Sequence, residues 1–278
     1  MTTSAPIEAA YDRWASDYRD WWAPVIAPAA VRLLDRVDGV LETDAAATLI
    51  DIGTGTGTLA LAALQRWPRA HVVGVDPARR LLEMAEAAAN QAGLRHRLTT
   101  LVAGAGKLPL PDAGADGVIS SFVLQLTPSR TAAVREAFRV LRPGGVFAHL
   151  TWRTDDDRWE PEDAFDDALD ALRIEPPARS GGADRSYPSP KAAAAELRRA
   201  GFRSVRAREE WMEHRFTPSS YVDLAEHWTE DDAFASLDEP IRRRLRAEVL
   251  RRVKRLPVEA LVWRRPLVSA VGIRPPLS

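Results

Sequence analysis

The sequence predicts an α/β protein whose core is a mostly parallel seven-stranded sheet with an antiparallel last strand. Between residues 47 and 153, short runs rich in β-branched residues alternate with longer segments in which apolar residues recur every three or four positions. That alternation is typical of β-α-β units, whose parallel strands are covered by helices on both faces. The second observation is a glycine-rich turn directly after the first run, since such turns join a strand to a helix in these folds.

The elements follow in order along the chain. The predicted core strands are residues 48–52, 71–75, 98–102, 117–121 and 146–151. The predicted core helices are residues 58–66, 79–91 and 130–141. Beyond the core we expect a helix at 191–200, a strand at 202–211 and a final strand at 260–273. Turn residues mark several ends: Gly93 follows a helix, and Pro143-Gly144-Gly145 predicts a turn into the fifth strand.

These elements form a single domain, residues 1–278. Its parts are an N-terminal helical cover (1–42), the core (43–152), an acidic loop, helix and strand (153–216), a helical insertion (217–256) and the last strand and tail (257–278). The acidic run at 155–170 predicts a solvated loop and helix in an irregular stretch. In the insertion, the arginine-rich helix predicts a solvated face beside an apolar stripe, with an anionic partner or a homodimer interface as the alternative.

Composition excludes several functional classes. The 278 residues carry a formal net charge of −1, which gives no reason to expect nucleic acid as a partner. The chain has no cysteine, so thiolate metal sites, disulfides and cysteine nucleophiles are excluded, and residue spacing supports no other metal site. We see no secretory signal and no apolar stretch of membrane-spanning length. We therefore expect a cytoplasmic protein with no membrane partner.

The glycine-rich turn predicts a nucleoside site. Gly53, Gly55 and Gly57 alternate with threonines after the first strand, where glycine lets a ligand approach the backbone closely. Asp51 places a carboxylate beside this turn, which favours a ligand with positive charge over a pyrophosphate. Asp76 ends the second strand, and a carboxylate there can accept two hydrogen bonds from the vicinal diol of a ribose. The alternative is a turn kept only for tight packing.

The sequence resembles the class I S-adenosylmethionine-dependent methyltransferases, in the type 11 branch that includes the ubiquinone- and menaquinone-biosynthesis enzymes. Four segments carry the resemblance, in the family's order and spacing: residues 51–57, 74–76, 108–112 and 139–145. The resemblance implies a Rossmann-like fold and S-adenosyl-L-methionine as cofactor. It also implies methyl transfer to an oxygen, nitrogen or carbon of a small, partly apolar acceptor.

Site residues are implied position by position. The cofactor's methionine portion would face Asp51 and the backbone of the three glycines, and its ribose would face Asp76 beside Pro77. The remaining implied contacts are Tyr11, Tyr18, Gly104, Ala105, Ser121 and Gln125. Of these, a tyrosine would donate to the cofactor's carboxylate from a lid formed by the N-terminal helix. The alternatives are core packing of that aromatic helix, and a capped turn at Ser121 and Gln125.

One position departs from the family pattern. Gly104 stands where the family usually carries an aspartate that receives the adenine amino group. A relative that binds S-adenosylmethionine or S-adenosylhomocysteine without catalysis is therefore an alternative function. A second alternative is an NAD(P)-dependent oxidoreductase, because residues 55–60 also match G-x-G-x-x-A. Asp51 speaks against that alternative.

A general base is the least defined part of the prediction. Methyl transfer depends mainly on positioning, with deprotonation of the acceptor where its chemistry needs it. His149 on the fifth strand and His214 after the sixth are the candidates, although a strand histidine is usually a hydrogen-bonded structural residue. Trp228 and Trp263, with Phe216 and Tyr221, are candidate walls of an apolar acceptor pocket.

Overall fold

The computed structural model describes residues 7–38, 41, 46–175 and 186–276. In this part of the chain, seven strands form one sheet in the order β3-β2-β1-β4-β5-β7-β6. The strands are β1 (Thr48–Ile52), β2 (His71–Asp76), β3 (Leu98–Val102), β4 (Ala115–Ser121), β5 (Leu141–Trp152), β6 (Arg203–Arg215) and β7 (Val262–Ile273). The first five pair in parallel, and β7 runs antiparallel to both β5 and β6. The predicted sheet is confirmed.

Helices cover both faces of the sheet. They are α1 (Ile7–Asp17), α2 (Ala23–Arg32), α3 (Thr58–Arg66), α4 (Arg79–Gln91), α5 (Arg130–Val140), α6 (Glu160–Leu172), α7 (Pro190–Arg199), α8 (Pro218–Leu224), α9 (Asp231–Ala235) and α10 (Glu239–Val253). Two short π-helical segments, here called the first π-turn (Tyr18–Trp22) and the second π-turn (Ala225–Thr229), interrupt the N-terminal cover and the insertion. Side-chain caps start several helices, such as Ser129 accepting from the Ala132 N–H.

The core lies on the two faces of the central strands. On one face, buried residues of α2, α3, α6, α8 and α10 pack in a single apolar cluster. On the other face, α5 and α7 pack against β1, β4 and β5 in a second cluster. Residues along β5 alternate between the two clusters: Ala148 faces the first, and Phe147 faces the second. Both faces of β5 are therefore buried, as in other parallel sheets covered on both sides.

The acidic stretch is more regular than expected. Residues 160–172 form α6, and four apolar side chains at helical spacing, Ala164, Phe165, Ala168 and Leu169, are buried beneath it. The acids between them conceal this stripe in the sequence because they occupy the solvent side of the same helix. The pair Gly181-Gly182, which is typical of a loop in the sequence, lies outside the described residues.

Two further segments differ in detail from their predicted form. β5 already begins at Leu141, so Pro143-Gly144-Gly145 lies within the strand. Gly144 there adopts a φ of +84° and donates its N–H to the Arg274 carbonyl. In α10 the predicted apolar stripe is buried at Leu245, Val249 and Val253, whereas Ile241 at its start is exposed. Several arginines of this helix form ion pairs with acids of this chain, among them Arg246 with Asp223 and Glu226.

Candidate active site

A cavity of about 310 Å³ opens at the carboxyl ends of the parallel strands. It lies where the sheet order reverses, with β2 on one side of β1 and β4 on the other, the usual ligand crevice of open α/β sheets. The residues lining it are Tyr11, Tyr18, Trp22, Ile26, Gly53, Gly55, Asp76, Pro77, Leu81, Ala103, Gly104, Ala105, Ser121, Phe122, Val123, Gln125, Leu126, Thr127, Pro128, Trp152 and Trp228. This set contains all predicted cofactor-binding residues except Asp51 and Gly57.

The glycine turn forms one wall of the cavity. Gly53 has a φ of +73°, and a Cβ placed on it would lie 2.1 Å from a methyl carbon of Val123. The N–H groups of Gly53 and Thr54 both donate to the Val75 carbonyl, at 2.7 and 3.1 Å, which holds the turn against β2. Gly57, with a φ of +87°, is the N-cap of α3. The backbone conformation at this wall thus requires glycine, and it leaves the main chain open to a ligand.

Asp76 is the carboxylate at the cavity. Its Oδ2 accepts the Gly55 N–H at 3.0 Å and its Oδ1 accepts the Ala78 N–H at 2.9 Å. Burial raises the pKa of Asp76 to about 6, although both backbone donors act in the opposite direction. Each oxygen keeps further acceptor capacity, so two hydroxyl groups of a diol can bind to it together.

Asp51 supports the turn from behind the cavity. Its side chain is buried and accepts a hydrogen bond from the Thr54 hydroxyl at 2.8 Å. Burial raises the pKa of Asp51 to about 7, and the nearby charge of Asp76 adds to the increase. Thr54 itself packs on Gly74, where an added Cβ would lie 2.9 Å from its methyl carbon. The Asp51 carboxyl group therefore lies beside the turn but is not part of the cavity surface.

Two tyrosines cover the glycine turn. Tyr18 lies against Gly55, with its hydroxyl 3.6 Å from where a Cβ on that glycine would be, and it meets the Tyr11 ring edge-on at 5.8 Å. Burial and the charge of Asp76 raise the pKa of Tyr11 to about 12, and burial raises the pKa of Tyr18 further. Both hydroxyls are therefore protonated at neutral pH, and they can donate hydrogen bonds.

The first π-turn changes which tryptophan reaches the cavity. Helical spacing from Tyr11 and Tyr18 predicts Trp21 on the same stripe, but the cavity is lined by Trp22. A π-turn bonds residue i to i+5, so it shifts the side chains that follow by about one position. Trp21 instead stacks on His227 of the second π-turn, with ring centroids 4.8 Å apart.

The opposite wall is aromatic, and we call it the aromatic end: Trp22, Phe122, Trp152 and Trp228. Phe122 packs on Trp152 at 4.7 Å, and Trp22 stacks on Trp228 at 6.1 Å. Phe122 has a φ of +56°, a left-handed conformation that costs a non-glycine residue about 1–2 kcal/mol. Phe122 follows β4 directly, and Val123 and Gln125 after it line the cavity.

Gln125 is held in a fixed orientation beside the aromatic end. Its Nε2 donates to the Phe122 carbonyl at 2.7 Å, and its Oε1 accepts from the Thr151 hydroxyl. Because a carbonyl can only accept, the amide cannot be flipped without losing that bond. One N–H of Nε2 remains for a ligand, and Ser121 adds a hydroxyl on the same side of the cavity.

The wall below β3 is apolar. Gly104 and Ala105 line the cavity as predicted, next to Ala103 and Leu81. No heavy atom lies within 4 Å of where a Cβ on Gly104 would be. The family pattern has an aspartate at this position. Among the described residues, no neighbouring side chain takes its place beside Gly104.

Neither histidine that was considered as a general base reaches the cavity. His149 is fully buried on the other face of the sheet, against Phe147 and Tyr187, and neither ring nitrogen has a hydrogen-bond partner among the described residues. Burial, with a smaller effect of Arg130, lowers the pKa of His149 to about 3. His214 lies on β6 against Phe216, and burial lowers its pKa too. Their positions argue against either as the base.

Sequence reasoning missed much of the aromatic end. Trp22 and Trp152 were not assigned to a pocket, whereas Trp228 was, and it lines the cavity. Trp263, Phe216 and Tyr221 were expected beside Trp228 but pack in the layer behind, around Trp159. Trp152 directly follows the predicted fifth strand. Because the carboxyl ends of parallel strands line such crevices, this position predicts Trp152 at the cavity.

Comparison with known proteins identifies the family. A family model described as a methyltransferase domain matches residues 50–149. A malonyl-[acyl-carrier protein] O-methyltransferase of Geobacter sulfurreducens is 33% identical over 214 residues, which cover 76% of this chain and 74% of that protein. The chain belongs to the S-adenosylmethionine-dependent methyltransferases.

Other relatives agree with this assignment over shorter spans. A demethylmenaquinone methyltransferase of Thermus thermophilus is 41% identical over 109 residues, 39% of the methyltransferase described here and 48% of that relative. The solved structure of the [4+2]-cyclase SpnF superimposes with a TM-score of 0.59 at 20% identity, covering 98% of this chain and 96% of that one. At that identity the likeness shows the fold alone.

The residues of the cavity suit S-adenosylmethionine, the methyltransferase's cofactor. The backbone of Gly53 and Gly55 lines the cavity beside Asp76, and each oxygen of that carboxylate, which accepts one backbone N–H, keeps acceptor capacity for a ribose diol. The N-terminus of α3 lies on the same side as the glycine turn, where a carboxylate is favoured.

No described helix is both long and apolar enough to span a membrane.

Proposed function

We propose that this methyltransferase acts on the carboxylate oxygen of a small acceptor whose apolar part binds at the aromatic end. When bound, S-adenosylmethionine supplies an electrophilic methyl group attached to a positively charged sulfur. The acceptor must then present a nucleophile in reactive form, close to that methyl group. The structure supports a carboxylate through the groups that surround the cavity.

The observation that carries the proposal is the lack of a usable base. Among the described residues that line the cavity, the ionisable side chains are Asp76, Tyr11 and Tyr18. Both tyrosines are protonated at neutral pH, and Asp76 is engaged by two backbone donors. A carboxylate acceptor is ionised at neutral pH without help from the enzyme, whereas an alcohol must lose a proton during transfer.

Hydrogen-bond donors at the cavity favour the same acceptor. The remaining Gln125 N–H and the Ser121 hydroxyl lie beside the aromatic end, where they can hold one carboxylate oxygen while the other reacts. Tyr11 and Tyr18 cover the glycine turn and exclude water from it. No lysine or arginine is among the described residues that line the cavity, which favours a small molecule over a polyanion. The relative from Geobacter sulfurreducens is named as a malonyl-[acyl-carrier protein] O-methyltransferase, so its name also gives oxygen as the methylated atom.

The test is a transfer assay with labelled S-adenosylmethionine. Acceptors are straight-chain and aryl carboxylates, each matched to a primary amine and a phenol with the same apolar part. We expect label in the carboxylate set, rising with the size of the apolar part until the cavity is filled. Transfer confined to amines or phenols, or binding of S-adenosylhomocysteine without transfer to any carboxylate, would contradict the proposal.

The pH profile supplies a second readout. Without an enzymatic base, the rate for a carboxylate at saturating cofactor should stay constant from about pH 7 to pH 9, since the acceptor is ionised throughout. The test variant is Gln125→Leu, which removes the donor next to the acceptor and should raise KM for the carboxylate roughly tenfold, as expected for a lost hydrogen bond to a charged group. Because the proposal assigns Gln125 to the acceptor and not to the cofactor, the dissociation constant of S-adenosylhomocysteine should stay within about threefold.

A further inference from the structure

The cavity wall beside β3 contains no side chain that can hydrogen-bond to a nucleoside base. We call it the base wall: Pro77, Leu81, Ala103, Gly104 and Ala105. All five side chains are apolar or absent. The side chains of this wall can therefore stack on a base but cannot accept a hydrogen bond from it.

The topology places the base at this wall. Asp76 ends β2, and its carboxylate fixes the ribose diol there. On one side of β2 lies β1 with the glycine turn and the N-terminus of α3, which suit the charged amino-acid part of the cofactor. On the other side lies β3, and the segment after β3 supplies Ala103, Gly104 and Ala105 of the base wall. The base extends from the ribose towards this segment, because the opposite side is taken by the amino-acid part.

The wall is also open. An ideal Cβ on Gly104 has no heavy atom within 4 Å, and one on Gly106 meets only the Ala132 methyl group at 3.5 Å. The backbone of Gly104 has an ordinary, unstrained φ, unlike that of Gly53 and Gly55. The glycine is therefore not required by the local conformation, and the space beside it can hold additional atoms.

Two acids near this segment, Asp112 in sequence and Glu136 in space, are held by other contacts. Asp112 pairs with Arg139 at 2.6 Å. Glu136 accepts the Leu108 N–H at 2.7 Å and also pairs with Arg139 at 2.7 Å. Neither can turn to the base wall without breaking these contacts. Gly104 itself uses its carbonyl to accept the Lys107 N–H at 3.2 Å.

From this wall we infer that the methyltransferase does not recognise the exocyclic amino group of adenine and admits cofactor analogues substituted there. The inference rests on the cofactor role and not on the identity of the acceptor. An aspartate that accepted from this amino group would discriminate against its loss by about tenfold or more. Without one, removing both amino hydrogens should have little effect, and two added methyl groups should fit in the space beside Gly104.

The probe is S-(N6,N6-dimethyladenosyl)-L-homocysteine, compared with S-adenosyl-L-homocysteine by titration calorimetry. It removes both amino hydrogens and adds bulk while keeping the ring nitrogen acceptors and the ribose. For the native chain we expect the two dissociation constants to agree within about threefold. Gly104→Asp should bind S-adenosylhomocysteine about tenfold more tightly and lose this gain for the dimethyl compound.

The matched variant is Gly104→Ala, which fills the position without a hydrogen-bond acceptor and should show neither the tighter binding of S-adenosylhomocysteine nor its loss for the dimethyl compound. Thermal unfolding of each variant checks that the fold is intact. If the native chain binds S-adenosylhomocysteine but binds the dimethyl compound more than about tenfold more weakly, the inference is wrong. If it binds neither compound, the cofactor role fails, and this inference and the proposed function fail with it.

Discussion

Asp51 and Asp76 are two buried acids whose protonation is linked to cofactor binding. Burial raises the pKa of Asp76 to about 6 and that of Asp51 to about 7. In the empty protein these raised values favour the neutral acids, so the acids stabilise the fold most below about pH 4 and lose that contribution as the pH rises through 6 and 7. A ligand with a ribose diol and an ammonium group favours the ionised acids instead.

Cofactor affinity should therefore rise with pH. We expect the dissociation constant of S-adenosylhomocysteine to fall about tenfold between pH 5 and pH 8, with release of protons on binding near pH 6. Calorimetry in two buffers of different ionisation enthalpy measures both quantities. Asp51→Asn is the comparison: fewer protons should be released, while the dependence due to Asp76 remains. An affinity that is constant over this range would show that neither acid is neutral in the empty site.

Gly53 is the glycine whose replacement should be least tolerated. Its φ of +73° strains any other residue, and an added Cβ would overlap the Val123 side chain. We expect Gly53→Ala to lower the free energy of unfolding by about 2 kcal/mol or more and to abolish detectable binding of S-adenosylhomocysteine. Denaturant unfolding and calorimetry measure the two effects. Gly104→Ala is the matched control, and a Gly53→Ala variant as stable as this control would contradict the steric argument.

At this scale, the sequence predicted the residues whose role depends on local chemistry. Glycines after a strand and an acid at the next strand end follow from backbone geometry and from the chemistry of a diol, so Gly53 and Asp76 were found. Phe122 and Gln125 differ from Gly53 and Asp76 because residues far away in the sequence form their surroundings. Phe122 has a left-handed backbone conformation, which residues other than glycine rarely adopt. The Gln125 amide is fixed by Thr151, which lies on β5. Gln125 was found by resemblance alone, and Phe122 was not found.

Among the elements, the two π-turns form the cover of the cavity. Trp228 of the second π-turn contacts Tyr11, Trp14, Tyr18 and Trp22, with ring centroids 5.5–6.3 Å apart. It joins the insertion to the N-terminal helices, next to the stacked pair Trp21 and His227. Trp228→Ala should release this cover.

Limited trypsin digestion measures that release at the exposed Arg13 and Arg19. We expect Trp228→Ala to be cleaved there several times faster than the native chain and to bind S-adenosylhomocysteine about tenfold more weakly, as expected when a half-buried aromatic contact is lost. Trp211→Ala is the control, because Trp211 is a tryptophan on β6 that is 40% exposed and far from the cavity. Equal cleavage of both variants would mean that Trp228 does not hold the cover.

The predictability of an element depends on whether its pattern is local. β1, α3, α4 and β3 have the predicted bounds because their apolar periods are clear and their ends carry glycine or proline. α6 was predicted only as part of a solvated stretch, since acids surround its buried Phe165. The π-turns could not be predicted, because the stripe of Tyr11, Tyr18 and Trp21 fits an ordinary helix. Only the packing of Trp228 between the rings shows that Trp22 is the residue that reaches the cavity.

For the whole molecule, the cavity is assembled from chain segments far apart in sequence. The glycine turn and Asp76 lie close together in the chain, so the cofactor half could be predicted from motifs. The aromatic end combines Trp22, Trp152 and Trp228, and these meet only because β5, the N-terminal cover and the insertion converge at one edge of the sheet. Sequence periodicity carries no information about that convergence. The acceptor half is therefore where structure adds most.

His149 provides a test of the fold as a whole, since it titrates on unfolding. Its pKa is lowered to about 3 by burial in the native state, against about 6.5 in an unfolded chain. The lowered value means that the native state keeps His149 neutral. Its contribution to stability is present in full above about pH 6.5 and is lost as the pH falls towards 3, because the unfolded chain takes up a proton that the native state does not. At pH 5 the loss amounts to about 2 kcal/mol.

His149→Leu should remove that acid sensitivity, because leucine fills a similar volume and leaves no polar ring between Phe147 and Tyr187. Denaturant unfolding at pH 7 and pH 5 should show a difference between the two pH values about 2 kcal/mol smaller in the variant than in the native chain. His96→Leu, at an exposed position, controls for the loss of a histidine. Methyl transfer should persist in His149→Leu, because His149 is not among the residues that line the cavity. If transfer fell at least a hundredfold in a variant that was stably folded, His149 would take part in the reaction after all.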